Sequence, residues 1–133
     1  MTPKRLVMLS AALVLATGVV LMAAPEFVVR VLLGGGFSGD VKMARFAGFA
    51  PFVLGLVCWP GQDDVTTQTI WSLFTYDLLS ALYLGYFLFT AGPVRLLLGP
   101  ACAIHALLAF LLAGLAYERF SAIKARSSKS GPV

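Results

Sequence analysis

Four stretches of this chain are apolar over about the length a helix needs to cross a bilayer, and nothing else in the sequence constrains its folding as strongly. A helix rises about 1.5 Å per residue, so a hydrocarbon core takes about 20 apolar residues whose backbone groups must bond to one another. The first stretch runs from Leu6 to Ala24 without a charge and stops at Pro25 and Glu26. The second is apolar from Phe46 to Trp59, with an outer turn through Lys42 and Arg45, and ends at Pro60 and Gly61. The third, from Thr69 to Thr90, is interrupted only by Asp77. The fourth follows Gly99 and Pro100 and runs from Ala101 to Tyr117, with His105 its one ionisable residue. Continuous apolar runs, rather than alternation, exclude the strands of a barrel.

The predicted fold is therefore all-α, an integral membrane bundle of four transmembrane helices over about 6–24, 43–59, 69–90 and 101–117. These form one domain, 1–120, followed by a basic cytoplasmic tail, 121–133, expected to be mobile past its first turn or two. Composition agrees: 59% of residues are hydrophobic and 12% charged, with a mean hydropathy of +0.90. A soluble domain carries about 25% charged residues, so a soluble enzyme is excluded. The ten Lys and Arg are scattered in ones and twos, which excludes a nucleic-acid binder. Lys4 and Arg5 ahead of a run ending in Ala23 and Ala24 also fit a signal peptide, but the run is long for one and reads as a retained helix.

Between the first two helices, Phe27, Val28, Val31, Leu32 and Leu33 surround Arg30 in a segment too short to span, followed by Gly34, Gly35 and Gly36. It reads as an interfacial helix ended by a glycine hinge. A similar piece, Val94 to Leu98 with Arg95, precedes the fourth helix. The side holding both termini carries Lys4, Arg5, Arg119, Lys124, Arg126 and Lys129; the other carries Arg30, Lys42, Arg45 and Arg95. The positive-inside rule then puts both termini in the cytoplasm. Trp59, Trp71 and Tyr117 fall at the cytoplasmic interface.

An ionisable group at membrane depth costs a few kcal/mol, which makes Asp77 and His105 the first candidates for function. Asp77 shares a helix face with Ser80, Ala81 and Gly85, a small and polar stripe suited to close helix contact. It reads as a carboxyl pinning the third helix to the first or second through Ser10, Thr17 or a backbone donor, or as a proton, cation or headgroup site. His105 reads as a structural residue, or as a contact to haem or a quinone carbonyl, with Arg45 or Tyr86 at similar depth. By helical rise the two lie about 10 Å apart along the membrane normal, which argues against a direct Asp77–His105 pair and against an enzyme using them as acid and base. Arg45 reads as an interface anchor or as a cap that attracts an anionic headgroup, with Ala44 and Gly48 in small-xxx-small spacing. Tyr76, Ser80 and Tyr83 line one wall of an expected apolar pocket. Cys58 and Cys102 fall at opposite membrane ends, and no metal-ligand or phosphate-loop motif is present.

Ala24-Pro25, the apolar piece with Arg30, and Arg45-x-x-Gly48 leading to Leu54-Gly55-Leu56 resemble the pattern of DoxX-like small four-helix bacterial membrane proteins. The resemblance covers the first half of the chain, and only Arg45 and Gly48 match position by position. The founding member of that group is a membrane subunit of a quinone-linked sulfur oxidoreductase. Function does not transfer on that resemblance. The abundance of aromatic and small-residue faces beside few chemistry-bearing groups instead sets the expectation of a small accessory or structural subunit of a larger bacterial inner-membrane assembly, respiratory or photosynthetic. Its expected partners are lipids and other membrane subunits or further copies of itself. The alternative is binding or transport of a quinone, lipid or other hydrophobic molecule, with Asp77, Tyr83, Tyr86, His105 and Arg45 as its contacts.

Overall fold

The computed structural model describes residues 2–33, 41–60, 65–90 and 97–129, and those residues are helical with no strand among them. α1 spans Pro3–Ala23, with proline in its first turn, where a missing N–H costs nothing. After the single residue Ala24, Pro25 opens the short amphipathic α2, Pro25–Leu33, in the place expected of an interfacial helix. α3 spans Val41–Ala47, α4 Phe49–Val57, α5 Thr67–Thr90 and α6 Leu98–Lys129. The glycine hinge 34–36, the loop residues 62–64 and Arg95 lie outside the described residues.

Among the described residues, three helices are long and apolar enough to cross a membrane: Pro3–Ala23, Thr67–Thr90 and Leu98–Ala122. The second expected span is not among them, because it is broken into α3 and α4 at Gly48. The cause is Pro51, whose nitrogen cannot donate to the Ala47 carbonyl and whose ring crowds it. Gly48 N–H turns instead to the Arg45 carbonyl at 3.1 Å, and Phe52 N–H restarts the ladder on the Gly48 carbonyl at 3.1 Å.

Two pairs of helices build the molecule, α1 with α4 and α5 with α6, and α1 also touches both members of the second pair. Glycines set the first pair. A methyl group on Gly18 would fall 2.6 Å from the Phe52 Cα, and one on Gly55 would fall 2.7 Å from the Leu15 nitrogen. Backbone therefore meets backbone there, the close approach that small residues permit. Since Gly55 faces Leu15, α4 ends two residues later, level with the middle of α1 and well short of its N-terminus. α4 thus runs beside only the C-terminal half of α1.

In the second pair, the Cys102 thiol donates to the Ala81 carbonyl at 3.3 Å, and a methyl on Gly85 would meet Cys102 Sγ at 3.7 Å. The stripe of Ala81 and Gly85 thus faces α6 as its small residues predict. Both helices run further than expected. Thr66 caps α5, its hydroxyl oxygen accepting the Thr69 N–H at 3.1 Å, so the helix begins before Thr69. α6 continues through Lys129 rather than ending near Tyr117, because no glycine or proline interrupts residues 115–130. The core lies where α1, α5 and α6 converge: Val7, Ala11, Val14, Ile70, Leu73 and Leu112 are fully buried.

Candidate functional site

Three polar side chains are buried in this apolar core, one from each of the converging helices: Ser10 of α1, Asp77 of α5 and His105 of α6. Each sits on the inward face of its helix beside apolar core neighbours, Val7 and Ala11 for Ser10, Leu73 for Asp77, Leu108 and Leu112 for His105. The Ser10 hydroxyl donates to Asp77 Oδ2 at 2.7 Å. His105 Nδ1 lies 2.7 Å from Asp77 Oδ1. Both carboxylate oxygens are thereby engaged, at the short distances of charge-assisted hydrogen bonds.

The direct pairing of Asp77 with His105 corrects the sequence expectation that depth keeps them apart. That expectation assumed helix ends level with one another. Asp77 faces His105 and Ala81 faces Cys102, so Leu98 is level with about Gly85 and the last turn of α5 extends about 7 Å beyond the start of α6. The offset brings the two residues together without an intermediary such as Tyr83. Ser10, one of the expected partners of Asp77, takes that role. Thr17 does not, since its hydroxyl donates to the Leu13 carbonyl of its own helix at 2.9 Å.

The arrangement differs from a hydrolytic triad, in which serine bonds to histidine and the acid lies behind it. Here the aspartate is central and holds both other groups, so the serine is bonded to the carboxylate and not to the imidazole. What the geometry leaves available is the other ring nitrogen. Among the described residues His105 Nε2 has no hydrogen-bond partner, although the residue is only 7% exposed. With Nδ1–H donated to the carboxylate, Nε2 carries a lone pair and accepts a hydrogen bond or a proton; protonated, it donates one. The Tyr76 ring stands edge-on to the imidazole, centroids 6.0 Å apart. Tyr76 also lines a groove of about 600 Å³ with Leu79, Ser80, Leu82 and Tyr83, the wall expected from the sequence.

The other expected contacts do not join the cluster. Tyr83 and Tyr86 are exposed on the outer face of α5, stacked edge-on against Phe87 rather than against His105. Arg45 lies at another corner, in a pocket with Ala23, Ala24, Pro25, Glu26, Phe27 and Arg30. Cys58 and Cys102 are both free thiols. Among the described residues no group of three or more His, Cys, Asp or Glu could hold a metal ion. Ser10 is the member of the site that the sequence named only as a partner; its signal was one of two hydroxyls, with Thr17, inside an otherwise apolar run. No family model, curated protein or solved structure matches this chain.

Proposed function

We propose that this chain is a bacterial inner-membrane protein with cytoplasmic termini that binds a hydrophobic small molecule carrying a hydrogen-bonding head, a quinone or a lipid, at His105. The observation that carries this reading is the unpartnered Nε2 of a buried histidine whose other nitrogen is held by a carboxylate. A cluster serving only to tie three helices together would be satisfied by an amide or a hydroxyl and would have no reason to bury an imidazole with one nitrogen idle. A carboxylate behind Nδ1 fixes the ring and strengthens Nε2 as an acceptor, an arrangement suited to a quinol hydroxyl, and the protonated ring suits a quinone carbonyl. Tyr76 and the groove beside it form the route from the lipid side. The DoxX-like pattern of the first half belongs to the same proposal.

Titration of the detergent-purified protein with a short-chain ubiquinone, followed by quenching of its aromatic fluorescence, tests this reading. Saturable quenching is expected for the wild type, with affinity falling about tenfold or more in His105→Leu as a hydrogen bond to a buried ring is lost. Equal binding by His105→Leu, or no saturable binding of quinone or of phospholipid by the wild type, would overturn it.

A second reading, a subunit of a larger membrane assembly, is favoured by one observation. α5 turns Tyr83, Tyr86 and the 90%-exposed Phe89 outward together, an aromatic strip of the kind enriched at protein contacts. Recovery from mild detergent as a lone monomer, with no co-purifying protein, would remove this second reading.

A further inference from the structure

The corner where α1, α2 and α3 meet, at the end of α1 remote from the chain termini, carries chemistry the dyad does not use. Its pocket, about 360 Å³, is lined by Ala23, Ala24, Pro25, Glu26, Phe27, Arg30 and Arg45. The two arginines come from different helices, Arg30 from the amphipathic α2 and Arg45 from the end of α3. They share one pocket because α2 turns back after a single linking residue while α3 packs against both α1 and α2. Among the described residues neither guanidinium is engaged in an ion pair or hydrogen bond, and neither is the Glu26 carboxylate. Among the described lining residues, two cations and one anion leave one positive charge.

We propose that this pocket binds the phosphodiester of an anionic membrane lipid, with Arg30 and Arg45 clasping its oxygens from two sides. Two guanidinium-bearing residues that line one small pocket, neither paired among the described residues, repel each other until an oxyanion is bound, and their planar forks match phosphate geometry. The net charge of the rim equals that of one phosphodiester in magnitude and opposes it in sign. The wall residues Ala23, Ala24 and Pro25 are small and apolar, and Phe27 offers a ring to the glycerol and upper acyl chain. The position fits as well: α1 is long and apolar enough to cross a membrane, so its end and the amphipathic α2 lie at headgroup level. The inference rests on the membrane placement proposed above and is independent of ligand binding at His105.

Native mass spectrometry from dodecylmaltoside, with added dioleoylphosphatidylglycerol, dioleoylphosphatidylcholine or inorganic phosphate, tests it. The wild type should retain one phosphatidylglycerol in preference to phosphatidylcholine, and inorganic phosphate should not displace it. Arg30→Gln and Arg45→Gln should each lower retention about fivefold, by the worth of one cation near a headgroup, and the pair should remove the preference. Both side chains are exposed, so their replacement leaves the fold intact. Glu26→Gln should raise retention, because it removes the opposing carboxylate. Lys4→Gln, which deletes a charge at the far end, should leave retention unchanged. Retention unaffected by the double substitution, equal retention of the two lipids, displacement by inorganic phosphate, or a fall in retention with Glu26→Gln would each overturn the proposal.

Discussion

At Asp77, what matters is how many donors a buried carboxylate must satisfy. Two converge on it, the Ser10 hydroxyl and the His105 ring nitrogen, both within 2.7 Å. Asparagine at this position keeps the shape and can serve both neighbours. Its carbonyl accepts the serine hydroxyl, and its amide donates to Nδ1 once the imidazole adopts the Nε2–H tautomer. Leucine serves neither and strands two buried polar groups. Asp77→Asn is therefore expected to lose about 1 kcal/mol or less, and Asp77→Leu about 1 to 3 kcal/mol more than that. Thermal unfolding of both variants in one detergent checks this: equal losses, or asparagine worse than leucine, would refute the hydrogen-bond account. The tautomer change has a functional consequence, since it replaces the free lone pair of Nε2 with a proton. Binding of a hydroxyl-bearing ligand should fall in Asp77→Asn even where stability holds.

For helices as elements, glycine and proline do different work at different places. Gly18 and Gly55 stand where α1 and α4 touch backbone to backbone, and any side chain there collides with main-chain atoms that cannot move aside. Gly18→Leu and Gly55→Leu should separate α4 from α1 and lower the unfolding midpoint. Gly114 of α6 is the opposite case, with nothing within 4 Å of an added methyl. Gly114→Ala should stabilise the helix by about 1 kcal/mol or less, the difference in helix propensity alone. Unfolding in the same detergent separates the two classes, and a Gly18→Leu protein as stable as the wild type would show that the α1/α4 contact is not formed. Gly48 and Gly55 were legible in the sequence as small residues of one segment. Gly18 was not singled out, because a lone glycine in an apolar run looks the same whether it faces a neighbouring backbone or lipid. Pro51 was legible in principle, since a proline four residues after Ala47 must disturb the Ala47 carbonyl.

At the scale of the whole molecule, helix length and helix offset are separate quantities. The register of Asp77 with His105 puts the start of α5 level with about Ala116, so α6 projects some 20 Å further, to Lys129. That projection has no α5 beside it. Shortening the chain after Lys124 should consequently leave the unfolding midpoint unchanged, and a marked loss of stability would show that the end of α6 packs on the bundle. The all-helical architecture, the three long apolar helices, the short amphipathic α2 and the placement of Asp77 and His105 within apolar helices all follow from the sequence by itself, because each depends on local spacing: runs of apolar residues, turn residues that end them, and a charge inside a run. Only the tertiary structure decided that Asp77, His105 and Ser10 form one cluster, that Arg30 and Arg45 share one corner, and that α4 stops half-way along α1. Those outcomes depend on how far one helix slides and turns against another, which is set by the fit of side chains across the interface, and spacing along a single segment holds no record of it.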